Sequence, residues 1–221
     1  MYKLILGILF VAIGSTAFSQ TKAELGFFGG GSYYLGDINP KKQFYSSSIA
    51  LGGIYRYNFN SRYSLRAGML FSSLSGDDED FDNSYQQARG ASFKTDLIDL
   101  SLQVEFNFQS FWSPKRTKST TLVPYVSGGI GFIAPSSTSS SFTIPMGVGL
   151  KTNLPGRWTA ALEWGFRKSF TDGLDYLDDP NDFNESSLVH NNDWVSFFGV
   201  MISYKLFPDN EECHSYDRFV K

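Results

Sequence analysis

The 221-residue chain is rich in aromatic residues (17%) and holds 19% charged residues, fewer than the roughly 25% of a typical soluble domain. Its net charge of −3 argues against general nucleic-acid binding. With 21 glycines, 21 phenylalanines and 12 tyrosines, the composition indicates a single β-rich domain.

Residues 1–19 are predicted to be a cleaved signal peptide. Lys3 supplies the positive charge, residues 4–13 form the apolar core, and Ala17 and Ser19 stand at positions −3 and −1 of a cleavage site that leaves Gln20 first. The alternative is an uncleaved N-terminal membrane anchor. No later run reaches about 18 apolar residues, so a membrane-spanning form would have to cross as a closed β-barrel.

Eight segments that alternate between apolar and polar residues follow along the chain. Period-two alternation predicts strands with one apolar and one polar face. A soluble β-sandwich would show the same alternation, but most of these segments reach the roughly 9–11 residues that a strand needs to cross a bilayer. The segments are Leu25–Leu35, Ile49–Phe59, Tyr63–Leu74, Asp96–Phe108, Leu122–Ile133, Phe142–Thr152, Trp158–Lys168 and Trp194–Phe207.

The links between these segments alternate in length. Tight turns follow strands two and six, whereas the links after strands one, three, five and seven are mostly longer, and the third and seventh are acidic (Gly76–Phe93 and Thr171–Asp193). This arrangement is typical of outer-membrane barrels, although the long link after strand four, Gln109–Thr121, breaks it. Aromatic residues near strand ends predict two interfacial girdles. They are Tyr55, Tyr57, Phe59, Tyr63, Phe106, Phe108, Trp158, Trp194 and Tyr204.

The sequence therefore predicts an all-β fold, an eight-stranded antiparallel transmembrane β-barrel over residues 20–207 with a periplasmic tail, 208–221. Eight strands leave an interior that side chains fill, and charges buried there must pair. We expect a salt-bridge network that plugs a polar lumen, rather than a charged channel, with inward glycines making room for the long side chains. The predicted network is Glu24, Arg56, Arg66, Asp99, Glu105, Lys151, Glu163, Arg167 and Lys205.

No catalytic, cofactor or metal site is predicted. His190 and His214 lie in no ligand-spaced cluster, and Cys213 has no CxxC partner. Glu105 and Glu163 could form the carboxylate pair of an outer-membrane hydrolase, but a salt-bridge role is the preferred interpretation. We expect neither an enzyme nor a small-molecule substrate.

The acidic link after strand three offers oxygen ligands for Ca²⁺, but their spacing does not match an EF-hand loop. A solvated loop is the preferred interpretation. The residues concerned are Asp77, Asp78, Glu79, Asp80 and Asp82.

Two stretches carry a family resemblance. ELGFFGGGSYYLGDIN (Glu24–Asn39) and YRYNFNSRYSLRAGML (Tyr55–Leu70) resemble the PorG-like family of Bacteroidetes outer-membrane barrels, which includes a component of the type IX secretion system. The resemblance implies an outer-membrane protein attached to a periplasmic ring of PorK and PorN. The matching motifs are strand and turn signatures, so no catalytic or partner-binding residue is carried over.

The expected function is to anchor or scaffold a periplasmic assembly such as that ring, in contact with outer-membrane lipids. The alternative is an OmpA/OmpX-like barrel whose outer acidic loops bind ligands or surfaces. The mature chain is expected to start in the periplasm, and an even number of strands returns its C-terminus there. The link after strand four and the tail are therefore expected on the same, periplasmic side of the membrane. Aromatic residues and arginine are enriched in interfaces. The predicted partner contacts are Trp112, Lys115, Arg116, Lys118, Tyr216, Arg218 and Phe219.

Overall fold

A computed structural model describes residues 23–36, 39, 42–81, 84–111, 122–136, 140–170 and 194–206. Within these ranges the chain forms eight strands, one 3₁₀ turn (Asp78–Asp80) and one short helix, α1 (Ser84–Arg89). None of the helical segments in the described ranges is long and apolar enough to cross a membrane. The strands are β1 (Ala23–Leu35), β2 (Ser48–Asn58), β3 (Tyr63–Asp77), β4 (Ser92–Asn107), β5 (Val123–Pro135), β6 (Ser141–Asn153), β7 (Trp158–Ser169) and β8 (Trp194–Lys205).

The strands close into a barrel in which each strand pairs with its sequence neighbours and β8 pairs back with β1. All eight pairings are antiparallel, and the closing seam runs from Glu24 opposite Lys205 to Leu35 opposite Trp194. Closure removes the unpaired sheet edges, as a sheet within a bilayer requires. The predicted eight-stranded antiparallel barrel is confirmed.

The hairpin of β3 and β4 is longer than the sequence predicted. The two strands remain paired up to Asp77 opposite Ser92, so they occupy part of the predicted acidic loop. Leu74 and Phe93 are buried on the inner side of this extension. Their burial explains why pairing continues beyond the predicted boundary at Leu74.

The outer wall of the barrel is apolar. Alternate side chains of the strands expose leucine, isoleucine, valine, methionine and aromatic groups. On β2 this apolar row runs from Ile49 to Phe59, ten steps of about 3.3 Å at a tilt of about 40°, which gives a height of about 25 Å. This height matches the apolar band of an outer-membrane barrel.

The aromatic residues pair on the outer wall at both ends of the strands. We call the end where β1 begins and β8 finishes the terminus end, and the opposite end the long-loop end. Ring pairs at the terminus end are Tyr57–Phe59, Tyr63–Phe106, Phe106–Phe108 and Trp158–Tyr204, with centroids 5.0–5.3 Å apart. At the long-loop end, Phe132 packs against Phe142 at 5.5 Å.

The interior has two different halves. The half nearest the terminus end is polar and charged, as the sequence predicted for the whole lumen. The half nearest the long-loop end holds most of the apolar core, which that prediction missed, beside buried polar groups such as Asp99, Thr143 and Arg167. The core includes Tyr34, Ala50, Leu70, Leu74, Phe93, Leu97, Ile133, Val195 and Phe197.

The β1–β2 loop lies against the outer wall. Phe44 contacts the rings of Tyr33, Phe198 and Trp164, with centroids 5.1, 4.9 and 5.8 Å away. Trp164 Nε1 donates a hydrogen bond to Tyr33 Oη at 3.0 Å, and Tyr33 Oη donates to Gln43 Oε1 at 2.6 Å. Tyr33, which the alternation placed on the apolar face, is therefore covered by the loop and fully buried. We call this group of side chains the seam clasp, because it joins β1 to β7 and β8.

Candidate functional site

The charged cluster of the lumen is built from inward positions of six strands. Period-two alternation directs these side chains to the barrel axis, and antiparallel pairing brings the first half of odd strands beside the last half of even strands. Six charged residues meet at the terminus-end half of the barrel, and each is at most 7% exposed. They are Glu24, Arg56, Arg66, Glu105, Lys151 and Glu163.

Glu105 on β4 is the centre of this cluster. Its Oε2 accepts hydrogen bonds from Arg56 Nε at 2.9 Å and from Lys151 Nζ at 2.5 Å. Its Oε1 lies 3.1 Å from Arg66 Nη1. One carboxylate thus contacts three cations from three other strands.

Glu24 at the start of β1 holds Arg56 from the other side. Its Oε2 accepts from Arg56 Nη1 at 2.9 Å and from Ser203 Oγ at 2.6 Å. Its Oε1 accepts from Asn58 Nδ2 at 3.0 Å. Both carboxylate oxygens are therefore hydrogen-bonded away from solvent, which offsets part of the desolvation cost.

Arg66 and Glu163 form a two-point contact across the lumen. Arg66 Nη1 and Nη2 donate to the two carboxylate oxygens of Glu163 at 2.5 and 2.7 Å. Tyr125 Oη also donates to Glu163 at 2.6 Å, and Arg66 Nη2 donates to Gln103 Oε1 at 3.1 Å. Two parallel charge-assisted hydrogen bonds fix the orientation of both groups.

A second, separate ion pair lies nearer the long-loop end. Arg167 Nε on β7 lies 3.2 Å from Asp99 Oδ2 on β4. The guanidinium also stacks 5.2 Å from the ring centroid of Phe197, where the apolar half begins. With this pair, four cations and four anions of the described lumen form ion pairs, in two separate groups.

The structure leaves almost no open space beside these groups. The cavity lined by Arg66, Gln103 and Glu163 has a volume of about 20 Å³. A cavity of this size holds about one water molecule. Beside Arg66 and Glu163, the described lumen is therefore filled by side chains.

Phe111 closes the terminus-end mouth of the lumen. Its ring is 5% exposed and its centroid lies 5.3 Å from Lys151 Nζ. Its backbone N–H donates to the Ser61 carbonyl at 3.0 Å, and its carbonyl accepts from Asn153 Nδ2 at 3.2 Å. The start of the long β4–β5 link is thus fixed across the mouth by the β2–β3 turn and the end of β6.

The predicted network residues divide into three groups. Six form the central cluster and Asp99 with Arg167 forms the separate pair. Lys205 lies at the end of β8, opposite Glu24 in the β1–β8 register, and is half-buried. Sequence reasoning missed the uncharged partners Asn58, Gln103, Tyr125 and Ser203, although all four occupy inward positions of the same alternation.

The inward glycines make room for more than long charged side chains. A Cβ at Gly147 would lie 3.4 Å from Glu163 Oε1, as the sequence argument expects. At Gly149, however, a Cβ would lie 2.6 Å from the ring of Tyr125, so this space is taken by an aromatic residue.

The predicted partner contacts Trp112, Lys115, Arg116, Lys118, Tyr216, Arg218 and Phe219 lie outside the described residues, as does Asp82. The acidic 3₁₀ turn is organised by its own hydrogen bonds. Asp77 Oδ1 accepts from Glu79 N at 3.0 Å, and Asp80 Oδ2 accepts from Tyr45 Oη at 2.6 Å. In the described ranges, no three His, Cys, Asp or Glu side chains are grouped to hold a metal ion.

Comparison with solved structures places the fold among outer-membrane barrels. Neisserial surface protein A matches with a TM-score of 0.52 at 7% identity, covering 83% of this chain and 97% of that one. The N-terminal β-barrel domain of Pseudomonas aeruginosa OprF matches with a TM-score of 0.42 at 14% identity, over 84% and 100% of the chains. Ail of Yersinia pestis matches with a TM-score of 0.44 at 14% identity, over 84% and 98%.

A search of curated protein sequences gives no match. A family model does match, over residues 3–216, which is nearly the whole chain. The chain belongs to the family described as a domain of unknown function, DUF6089.

Proposed function

We propose that the chain is a non-conducting, non-enzymatic outer-membrane barrel that anchors or scaffolds a periplasmic assembly. The observation that carries the proposal is the filled lumen, with its paired charges, its cavity of about 20 Å³ and its mouth closed by Phe111. A barrel that passes nothing through its interior acts through its lipid-facing wall or its ends. Support for the outer membrane comes from the apolar wall, its height of about 25 Å and the fold.

A catalytic role for the two lumen carboxylates has no support in their surroundings. Glu105 and Glu163 are each bound by arginine, and neither faces open solvent. A general acid or base must reach the proton it transfers, directly or through one water. Both groups instead serve as counter-ions.

Support for the periplasmic side comes from the start of the β4–β5 link. Phe111 is fixed across the terminus-end mouth, so the basic residues that follow in the sequence leave from a defined point at this end. We propose that this link and the C-terminal tail contact the periplasmic partner. The resemblance to the type IX secretion barrels makes a PorK/PorN-like ring the first partner to test. The proposed contacts are Trp112, Lys115, Arg116, Lys118, Tyr216, Arg218 and Phe219.

Co-purification from detergent-solubilised outer membranes tests the proposal. Two changes at the terminus end, deletion of residues 210–221 and replacement of the three link cations by glutamine, are expected to lower partner recovery without affecting barrel insertion. The matched control replaces three cations of the long-loop end by glutamine and is expected to retain the partner. The three link cations are Lys115, Arg116 and Lys118, and the three control cations are Lys42, Lys94 and Lys168.

Unchanged recovery after both terminus-end changes would remove the basis of the scaffold proposal. The unmodified barrel is also expected to give no stable conductance in planar bilayers, and a defined channel would contradict the filled lumen.

One observation favours a second candidate, a barrel whose outer loops bind ligands or surfaces. The extended β3–β4 hairpin is joined to the β1–β2 loop by the hydrogen bond from Tyr45 to Asp80 and by Ser46 Oγ to Ser75 Oγ at 2.7 Å. The long-loop end therefore presents an organised surface. Partner loss in the long-loop control, and not in the terminus-end variants, would favour this function.

A further inference from the structure

A groove of about 840 Å³ crosses one side of the outer wall of the barrel. The outward side chains that line it are apolar or aromatic. One row of lining residues consists of successive register partners across strands β5, β6, β7, β8 and β1. This row is Pro124, Leu150, Leu162, Val200 and Gly29.

The groove has the length and slope of a lipid chain. Four strand spacings of about 4.8 Å give the row a length of about 19 Å. Because the strands tilt by about 40°, the row rises by about 12 Å from Pro124, near the terminus end, to Gly29, in the middle of β1. The hydrocarbon core of a bilayer is about 30 Å thick, so one leaflet is about 15 Å deep. The groove therefore fits within the leaflet at the terminus end.

Two features make this part of the wall concave. Gly29 has no side chain, and a Cβ there would meet only two side-chain atoms, at 3.6 and 3.9 Å, so the space outside it is open. Phe44 of the seam clasp packs on Trp164 and Phe198, and all three rings line the groove. The half-exposed ring of Phe44 thus closes the groove toward the long-loop end.

A cation lies at the opposite end of the groove. Phe108 and Pro124 line this end, and Phe108 N donates to the Pro124 carbonyl at 3.0 Å. Arg62 Nη1 donates to the Phe108 carbonyl at 3.1 Å, which holds the exposed guanidinium at the edge of the groove. The described turns and links of the terminus end contain no acidic residue. The charge of Arg62 therefore attracts an anion from outside the chain.

We propose that the groove binds one phospholipid, with an acyl chain along its floor and the phosphate on Arg62. A guanidinium matches the geometry of phosphate, and the apolar floor begins directly beside it. This combination favours an anionic amphiphile over a neutral lipid, which has no group for the arginine. The proposal depends on the membrane position of the barrel and not on a periplasmic partner, so partner recovery and lipid binding can fail independently.

Native mass spectrometry in nonionic detergent measures the binding, with phosphatidylglycerol as the probe. Diacylglycerol with the same chains lacks the phosphate, and inorganic phosphate lacks the chains. We expect the barrel to retain one phosphatidylglycerol and to retain neither diacylglycerol nor inorganic phosphate at the same concentration.

Two variants test the two ends of the groove, each with a matched control. Arg62→Gln is expected to weaken retention about threefold or more, whereas Arg157→Gln, at an exposed arginine of the same barrel end that does not line the groove, leaves it unchanged. Gly29→Leu fills the groove and is expected to weaken retention about threefold or more through lost packing contacts. Gly53→Leu is its control, because a Cβ there meets nothing within 4 Å and the residue does not line the groove.

Heat-dependent gel migration checks that each variant still forms the barrel. Equal retention in the unmodified chain and all variants would show that lipid merely coats the wall, and would overturn the proposal. Equal losses in Arg62→Gln and Arg157→Gln, or retention of diacylglycerol as strong as that of phosphatidylglycerol, would also overturn it. A barrel dimer that Gly29→Leu disrupts, with no lipid retained, would assign the groove to a second copy of the chain instead.

Discussion

Replacing Glu105 by glutamine removes the charge at the centre of the lumen cluster while keeping the shape of the side chain. The carboxylate accepts from Arg56 at 2.9 Å and from Lys151 at 2.5 Å, and it lies 3.1 Å from Arg66. After the change, three cations of this cluster face two anions beside a cavity with room for about one water. The excess positive charge cannot be solvated in place.

The size of the effect follows from these contacts. Removal of one partner from a buried ion pair costs about 3–5 kcal/mol. The two hydrogen bonds to Oε2, at about 1.5–3 kcal/mol each for charged groups, give a similar range. Arg56 keeps Glu24 and Arg66 keeps Glu163, so the loss falls mainly on Lys151. We expect Glu105→Gln to lower the free energy of unfolding by about 3–5 kcal/mol.

Urea unfolding in detergent micelles measures this loss, with the folded fraction read from the faster gel migration of the unheated barrel. Glu79→Gln, at an exposed acid of the 3₁₀ turn, is the matched control and should change stability by less than about 0.5 kcal/mol. Glu105→Gln combined with Lys151→Met restores charge balance and should recover part of the loss. If Glu105→Gln unfolds at the same urea concentration as the unmodified chain, the ion-pair reasoning is refuted.

Two further predictions concern a loop tyrosine and a wall glycine. Partial burial and the hydrogen bond to Asp80 raise the pKa of Tyr45 from 10.0 to about 12. The stabilising contact of the protonated tyrosine is therefore complete below pH 10 and is lost as the pH rises through 12. An absorbance titration that compares the unmodified chain with Tyr45→Phe checks this, and a difference centred at pH 10 would contradict it. A Cβ at Gly30 would lie 2.0 Å from the Phe198 carbonyl oxygen, whereas one at Gly53 meets nothing within 4 Å. Gly30→Ala should therefore reduce the yield of heat-modifiable barrel and Gly53→Ala should not, and equal yields would show that the wall can relax there.

Local alternation was enough to predict the eight strands and the inward position of the lumen charges. Successive side chains of a strand point to opposite sides, so the side that Glu105 or Glu163 faces depends only on its neighbours in sequence. The pairing between charges is different. Arg56 and Glu105 are 49 residues apart, and Arg66 and Glu163 are 97 apart. Which of them meet depends on the tilt and stagger of the closed barrel, which alternation does not encode.

The features that the sequence did not predict lie where alternation weakens or ends. Leu70, Leu97 and Ile133 are inward positions filled by apolar residues, so they form an apolar half of the lumen that a simple rule of polar residues inside overlooks. Phe44 belongs to a loop, where alternation does not predict which way a side chain points. Its contacts with β7 and β8 depend on the three-dimensional path of that loop.

The seam clasp has a consequence for the order in which the barrel can be completed. The β1–β8 seam joins the residues most distant in sequence, and closing such a long loop carries the largest entropic cost of any strand pairing in the barrel. Phe44 and Gln43 lie in the loop between the first two strands, yet the rings that Phe44 packs against include those of Trp164 and Phe198, on the last two strands. The β1–β2 loop, which is synthesised early, therefore carries a side chain whose contact partners on β7 and β8 are synthesised last. Once β7 and β8 are in place, the Trp164–Tyr33 hydrogen bond and the ring contacts of Tyr33 and Phe44 with Phe198 form beside the seam that is hardest to close.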